Sequence, residues 1–107
     1  MKFDKNIYNS IQEMVRQVAP SDARVVLYGS QARGDAREDS DWDILILLNQ
    51  EHVGNEDFSK VAYPLVLLGW ELDAIINPML YTYTDWEKRK FTPFYKNVES
   101  EGIELCH

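Results

Sequence analysis

The sequence predicts a small mixed α/β or α+β domain in which one sheet is backed by helices. Three observations carry that expectation. Apolar residues near the start recur at helical spacing; two apolar runs in the middle have the β-branched, unbroken character of covered strands; and helical and strand-like segments alternate as α, β, short α, β, α, β, α.

Ile7, Ile11, Met14, Val15 and Val18 follow at steps of four, three, one and three, the face of a helix over 5–19 that Pro20 closes. After the turn Pro20-Ser21-Asp22, the run from Arg24 through Val25, Val26 and Leu27 to Tyr28 is a first strand, halted by Gly29. Ser30 is placed to cap a short helical stretch, 31–33, which Gly34 ends. A polar segment, 35–40, leads to a second strand over 42–48, apolar without a break after Asp43 and therefore expected at the centre of the sheet. A helix over 58–68 follows, with Phe58, Val61, Leu65 and Leu68 on one side; Pro64 is expected to kink or divide it and Gly69 to end it. Residues 71–76 alternate at period two as a third strand, stopped by Asn77-Pro78. The remainder, 81–104, reads as one or two helices interrupted near Thr92-Pro93. Most of its aromatics (Tyr81, Tyr83, Trp86, Phe91, Phe94, Tyr95) are expected to cover the sheet, and several left exposed together would mark a partner surface.

With 107 residues and no shift in composition, the chain reads as one domain over 1–107. A domain this small has little room for a subdomain, so an acceptor pocket is expected to be shallow or shared with a partner. The net charge of −7 argues against gripping a nucleic-acid backbone, which needs a basic face. A single nucleotide held through metal ions stays compatible. No membrane segment is expected, because no apolar run approaches a bilayer span and the start lacks an apolar signal core. Cys106 is the only cysteine and is read as an idle thiol; no internal disulfide is possible, and a soluble protein of the cytoplasm is the simplest expectation.

The chemistry concentrates in 29–46, GSQARGDAREDSDWDILI. Residues i and i+2 of a strand share a face, so Asp41 and Asp43 project together with Cα atoms about 6.5–7 Å apart, and Trp42 points the other way. A neighbouring strand about 4.8 Å away would bring a further carboxylate to the pair, Asp73 or, two residues earlier on the same face, Glu71. Such a cluster repels itself unless cations intervene, and two divalent ions about 3.5–4 Å apart would clamp the oxygens of a phosphoryl or nucleotidyl transfer. Mg²⁺ suits carboxylates plus phosphate oxygens and water. Gly29-Ser30, at a strand end that opens a helix, offers free N–H groups, a close approach to the main chain and a hydroxyl, all suited to a triphosphate. Arg33, one turn on, has a planar fork for a phosphate, and Arg37 is a weaker candidate.

Gly29-Ser30, ten intervening residues and Asp41-Trp42-Asp43 together resemble the signature of the DNA polymerase β-like nucleotidyltransferase superfamily. The fuller string, with Ala32-Arg33-Gly34 and Ser40-Asp41, is similar to its minimal nucleotidyltransferases, the small MNT proteins paired as antitoxins with HEPN-domain toxins. The resemblance implies a nucleotidyltransferase fold with a mixed central sheet, ATP or another NTP with Mg²⁺, and transfer of a nucleoside monophosphate, AMP from ATP, to an acceptor hydroxyl. It implies Asp41 and Asp43 as ligands of both metals, Asp73 as the third carboxylate, and Gly29 and Ser30 as the triphosphate turn. In the small antitoxin members the acceptor resembles a tyrosine hydroxyl on the toxin. This chain has no Arg-x4-6-His motif and would be the antitoxin partner only.

Plainer roles stand beside these. Asp41 and Asp43 alone would serve as turn residues, Gly29 as a turn glycine, Ser30 as an N-cap, and Arg33 as a surface charge paired with Asp35 or Glu38. Arg37 reads as a surface charge, and His52 and His107 as solvated. Two other functions remain: a binding module of the same fold that acts on a partner by contact alone, and nucleotidyl transfer to a small molecule such as an aminoglycoside, for which the chain lacks an enclosing domain.

Overall fold

The computed structural model describes residues 4–106. Asp4 opens α1 (Lys5–Val18) by accepting hydrogen bonds from the backbone N–H groups of Asn6 and Ile7, donors that a helix start leaves unpaired. Two strands follow: β1 (Arg24–Tyr28), and β2 (Trp42–Leu48) antiparallel to it with Tyr28 opposite Asp43. Between them α2 (Ser30–Arg33) is closed by Gly34, whose φ of 86° is a left-handed conformation open to glycine. Next come α3 (Asn55–Asp57), a π-helical turn (Phe58–Ala62) and α4 (Tyr63–Glu71). The chain ends with β3 (Ile76–Thr82), α5 (Tyr83–Glu87), α6 (Pro93–Glu101) and β4 (Ile103–Cys106).

The strands lie in the order β3-β2-β1-β4, with β2 and β3 parallel and the other pairs antiparallel, so the sheet is mixed and β2 is interior as its apolar run requires. Strand alternation sorts the side chains onto two faces. Val25, Leu27, Trp42, Ile44, Ile46 and Leu48 pack with Ile11 and Val15 of α1 and Leu65 of α4. Val26, Leu45 and Leu47 pack on the opposite face with Trp86 of α5 and Val98 of α6. Tyr81, Phe94 and Tyr95 ring Trp86 with centroids 4.8–5.7 Å away, so these aromatics cover the sheet as expected, whereas Phe91 is 80% exposed. The indole N–H of Trp86 donates to Glu99 at 2.7 Å, and Arg24 reaches the same carboxylate in a two-pronged bond while also holding Glu104. That network ties β1 to α6 and β4.

Pro64 marks the division that was one of its two expected effects: it sits in the first turn of α4, directly after the wider π-helical turn, where its missing N–H costs no helical bond. Three expectations change. Gly69 lies inside α4 rather than ending it. Its role is space: an added Cβ would sit 2.8 Å from the Ala74 carbonyl, on the backbone leading into β3. The third strand does not span 71–76. Helix α4 runs through Glu71, and β3 begins at Ile76 and carries Asn77 and Pro78 within it, because an edge strand tolerates a proline that a central one would not. Finally, β4 pairs with β1 where a helix or its end was expected.

Candidate functional site

The end of β1 and the start of β2 meet at Gly29. Its φ of 81° and ψ of −159° belong to a region that is nearly glycine-only, and a Cβ there would lie 2.5 Å from Oδ2 of Asp43. Glycine is therefore required twice, by conformation and by the carboxylate pressed against its Cα. The carbonyl of Gly29 accepts from the N–H groups of Ala32 and Arg33, so the turn rolls directly into α2. The first N–H groups of such a turn have no intrahelical partner. Ser30 is the first residue of α2 rather than its cap, a place taken by Gly29.

Asp43 projects from β2 onto the α5/α6 face, opposite to Trp42. In the parallel register Asn77 stands beside Asp43, and its amide donates to Asp41 at 2.7 Å and, more weakly, to Asp43 at 3.4 Å. One carboxamide thus bridges the pair. Burial, and then the charge of Asp41, push the Asp43 carboxyl above the ordinary aspartate range, against the pull of Asn77 and Arg33. Tyr28, across the ladder from Asp43, is pushed up to about 12, chiefly by burial and then by Asp43 and Tyr81.

The two aspartates and the glycine-serine turn are brought together; Asp73 and Glu71 are not. Glu71 ends α4, and Asp73 occupies the following turn at φ 56°, lining a groove beside Trp42 on the other side of β2. The position expected to hold a third carboxylate holds Asn77. Among the described residues no group of three or more His, Cys, Asp or Glu side chains is placed to share a metal ion. Arg33 pairs with Asp35 at 3.2 Å and Glu101 at 3.7 Å, the first of which raises its pKa most, while its charge still reaches Asp43. Arg37 and the exposed His52 lie away from the pair, and His107 falls outside the described residues. Asn77 and Tyr28 were missed by sequence reasoning. The signal for both was strand register: whatever pairs with Asp43 on either side belongs to the site.

Two facing carboxylates, one with a raised proton affinity, suit a hard divalent cation that takes its remaining ligands from phosphate and water. A three-carboxylate cage they are not. Among the described residues no helix is long and apolar enough to cross a membrane.

A family model for the nucleotidyltransferase domain matches residues 7–105. Two proteins of Methanocaldococcus jannaschii, named "Putative protein adenylyltransferase MJ0141" and "Putative protein adenylyltransferase MJ0604", are each 35% identical over 82 residues. Those residues are 77% of this chain and 77% and 76% of the two relatives. A solved structure described as a toxin-antitoxin with AMP-PNP aligns with a TM-score of 0.62 at 22% identity, over 91% of this chain and 70% of that one, a likeness of fold. The family match runs from α1 to β4 and takes in every element around Asp41 and Asp43, so this chain belongs to the nucleotidyltransferase domain family and is a nucleotidyltransferase.

Proposed function

We propose that the chain transfers AMP from ATP to a hydroxyl of a partner protein, in a Mg²⁺-dependent reaction, as the antitoxin of a pair whose toxin is of HEPN type. The observation that carries this reading is the close approach of Asp43 to Gly29, which sets the carboxylate pair directly against the glycine-serine turn. The two relatives, named as protein adenylyltransferases, support a protein as acceptor. The solved structure of similar fold, a toxin-antitoxin with AMP-PNP, supports both an adenine nucleotide and a toxin partner.

Asp41 and Asp43 would hold Mg²⁺, which supplies charge neutralisation for the triphosphate and the departing pyrophosphate. Gly29 and Ser30 would take the β- and γ-phosphates through backbone N–H groups and the Ser30 hydroxyl. Arg33, oriented by Asp35 and Glu101, stands one helical turn away as a cation for the phosphate tail. The acceptor oxygen forms a bond to the α-phosphorus, the bond from that phosphorus to the α–β bridging oxygen breaks, and pyrophosphate leaves while the hydroxyl proton passes to solvent. Asn77 keeps the two carboxylates together without adding charge.

The asparagine also favours a second reading, a module that binds nucleotide and restrains its partner by contact alone. One experiment separates them. ATP labelled on its α-phosphate, with Mg²⁺ and a lysate of the source cells, is expected to label a protein band with the native chain and not with Asp43→Asn. Absence of any labelled protein or small molecule with the native chain, while AMP-PNP still raises its melting temperature, would sink the transferase reading in favour of the module.

A further inference from the structure

On the side of β2 opposite Asp43, two cavities of about 480 and 410 Å³ share Ile7, Glu38, Trp42 and Asp73 and so form one groove. Its chemistry is one-sided. Asp4, Glu38, Asp39 and Asp73 line it, against Arg37 as the cation among its described lining residues. Within the described residues, Glu38, Asp39 and Asp73 form no ion pair. The indole of Trp70 stands 68% exposed at the wall, and Trp42 is buried at the base. Gln31, 4% exposed, also lines it; its amide N–H donates to the Ser40 carbonyl, but its Oε1 is buried without a hydrogen-bond partner. A buried acceptor left open has given up its water without replacement, so it is a place where an incoming N–H donor gains most.

Carboxylates, an unmade carbonyl acceptor and an exposed indole all select the same partner group: a planar cation rich in N–H donors that stacks on aromatic rings. The place of the groove says what carries that cation. Ser40 lines it and Asp41 is the next residue; Trp42 lines it and Asp43 is the next residue. The groove and the aspartates thus lie on opposite faces of the same strand end, so the part of a partner that spans from one to the other is a long side chain near the acceptor hydroxyl. We propose that the groove binds an arginine side chain of the acceptor protein, close in its sequence to the hydroxyl that receives the nucleotide. The inference rests on the proposed transfer to a protein, and it gives Asp73 a role in acceptor selection.

The test uses the full chain, without nucleotide or metal, and two short synthetic peptides. One carries a tyrosine flanked by two arginines; the other has citrulline, uncharged and nearly isosteric, at both arginine positions. Binding is followed by calorimetry at low salt. The arginine peptide is expected to bind at least about tenfold more tightly, with Asp73→Asn and Trp70→Ala each erasing most of the difference. Asparagine tolerates the left-handed backbone at 73, so that variant keeps its fold. Equal affinity for the two peptides, or a preference untouched by Asp73→Asn and Trp70→Ala, overturns the groove assignment. Label transfer from ATP is measured in parallel. Arginine preference without any transfer would leave the groove standing and remove the transferase reading; transfer to the partner that ignores both groove variants would do the reverse.

Discussion

Replacing Gly29 with alanine tests the centre of the site most directly. Two costs arise from different atoms. An L-residue held at φ 81° and ψ −159° stores about 1–3 kcal/mol of backbone strain. The new methyl would also stand 2.5 Å from Oδ2 of Asp43, so that short side chain must leave its rotamer, at about 0.5–1.5 kcal/mol, and give up its weak bond from Asn77. Together the loss is about 2–4 kcal/mol, a fall in Tm of roughly 10–20 °C for a domain of this size. Thermal and urea denaturation of Gly29→Ala, Asp43→Ala and the double variant resolve the two parts. Only the contact with Asp43 disappears in the Asp43→Ala background, so the double-mutant cycle should show a coupling of about 1 kcal/mol. A Gly29→Ala protein that melts with the native chain would refute the backbone strain, and zero coupling would refute the contact.

Asp43 has a folded pKa raised above its unfolded value, so its protonated form adds stability below the ordinary aspartate range, and that stability is lost as pH rises through the folded value. Asp43→Asn is accordingly expected to melt above the native chain at pH 7 in EDTA and level with it near pH 3; a lower melting point at pH 7 would contradict the assigned shift. Asn77→Asp completes a three-carboxylate set, and Mn²⁺ titration followed by electron paramagnetic resonance should show roughly tenfold tighter binding, together with a less stable metal-free protein. Unchanged Mn²⁺ affinity would mean that residue 77 does not face the ion. Gly102→Ala would push a methyl into Val26 Cγ1 and to 2.6 Å from the Val98 carbonyl, so urea denaturation should report a loss of about 1–3 kcal/mol, and a neutral result would show that α6 and β4 part easily.

Much of this was legible in the chain because it is local. The helical spacing of Ile7, Ile11 and Val15, the run from Arg24 to Tyr28 and the unbroken apolar stretch after Asp43 each report their own burial, and α1, β1 and β2 lie where they indicate. The aspartate pair and the glycine beside it share one connection, so spacing alone brought them together. Residues placed by partners far along the chain were not legible. The alternation in 71–76 looked like a strand because nothing local reveals that Gly69 admits the returning backbone and lets α4 continue to Glu71. Pro78 looked like a stop, since its tolerance depends on β3 being an edge. Asn77 enters the site only through its parallel register with Asp43, and β4 is a four-residue strand whose pairing with β1 spans most of the chain.

Trp42 and Asp43 are neighbours in one extended strand, which makes the two sides of the sheet end a single mechanical part. Sliding β2 by one residue against β1 would exchange them, burying a carboxylate among Ile11 and Leu65 and turning an indole toward the glycine-serine turn. The five apolar residues that follow, Ile44 to Leu48, all buried, hold that register from behind. Segment 35–40 is held by fewer ties: Ala36 is buried, Ser40 accepts from the Arg37 backbone N–H through its hydroxyl and from the Gln31 amide through its carbonyl, and residues 35 and 37–39 are exposed, so the spacing between the turn and the aspartates rests on a few polar bonds rather than on a packed run.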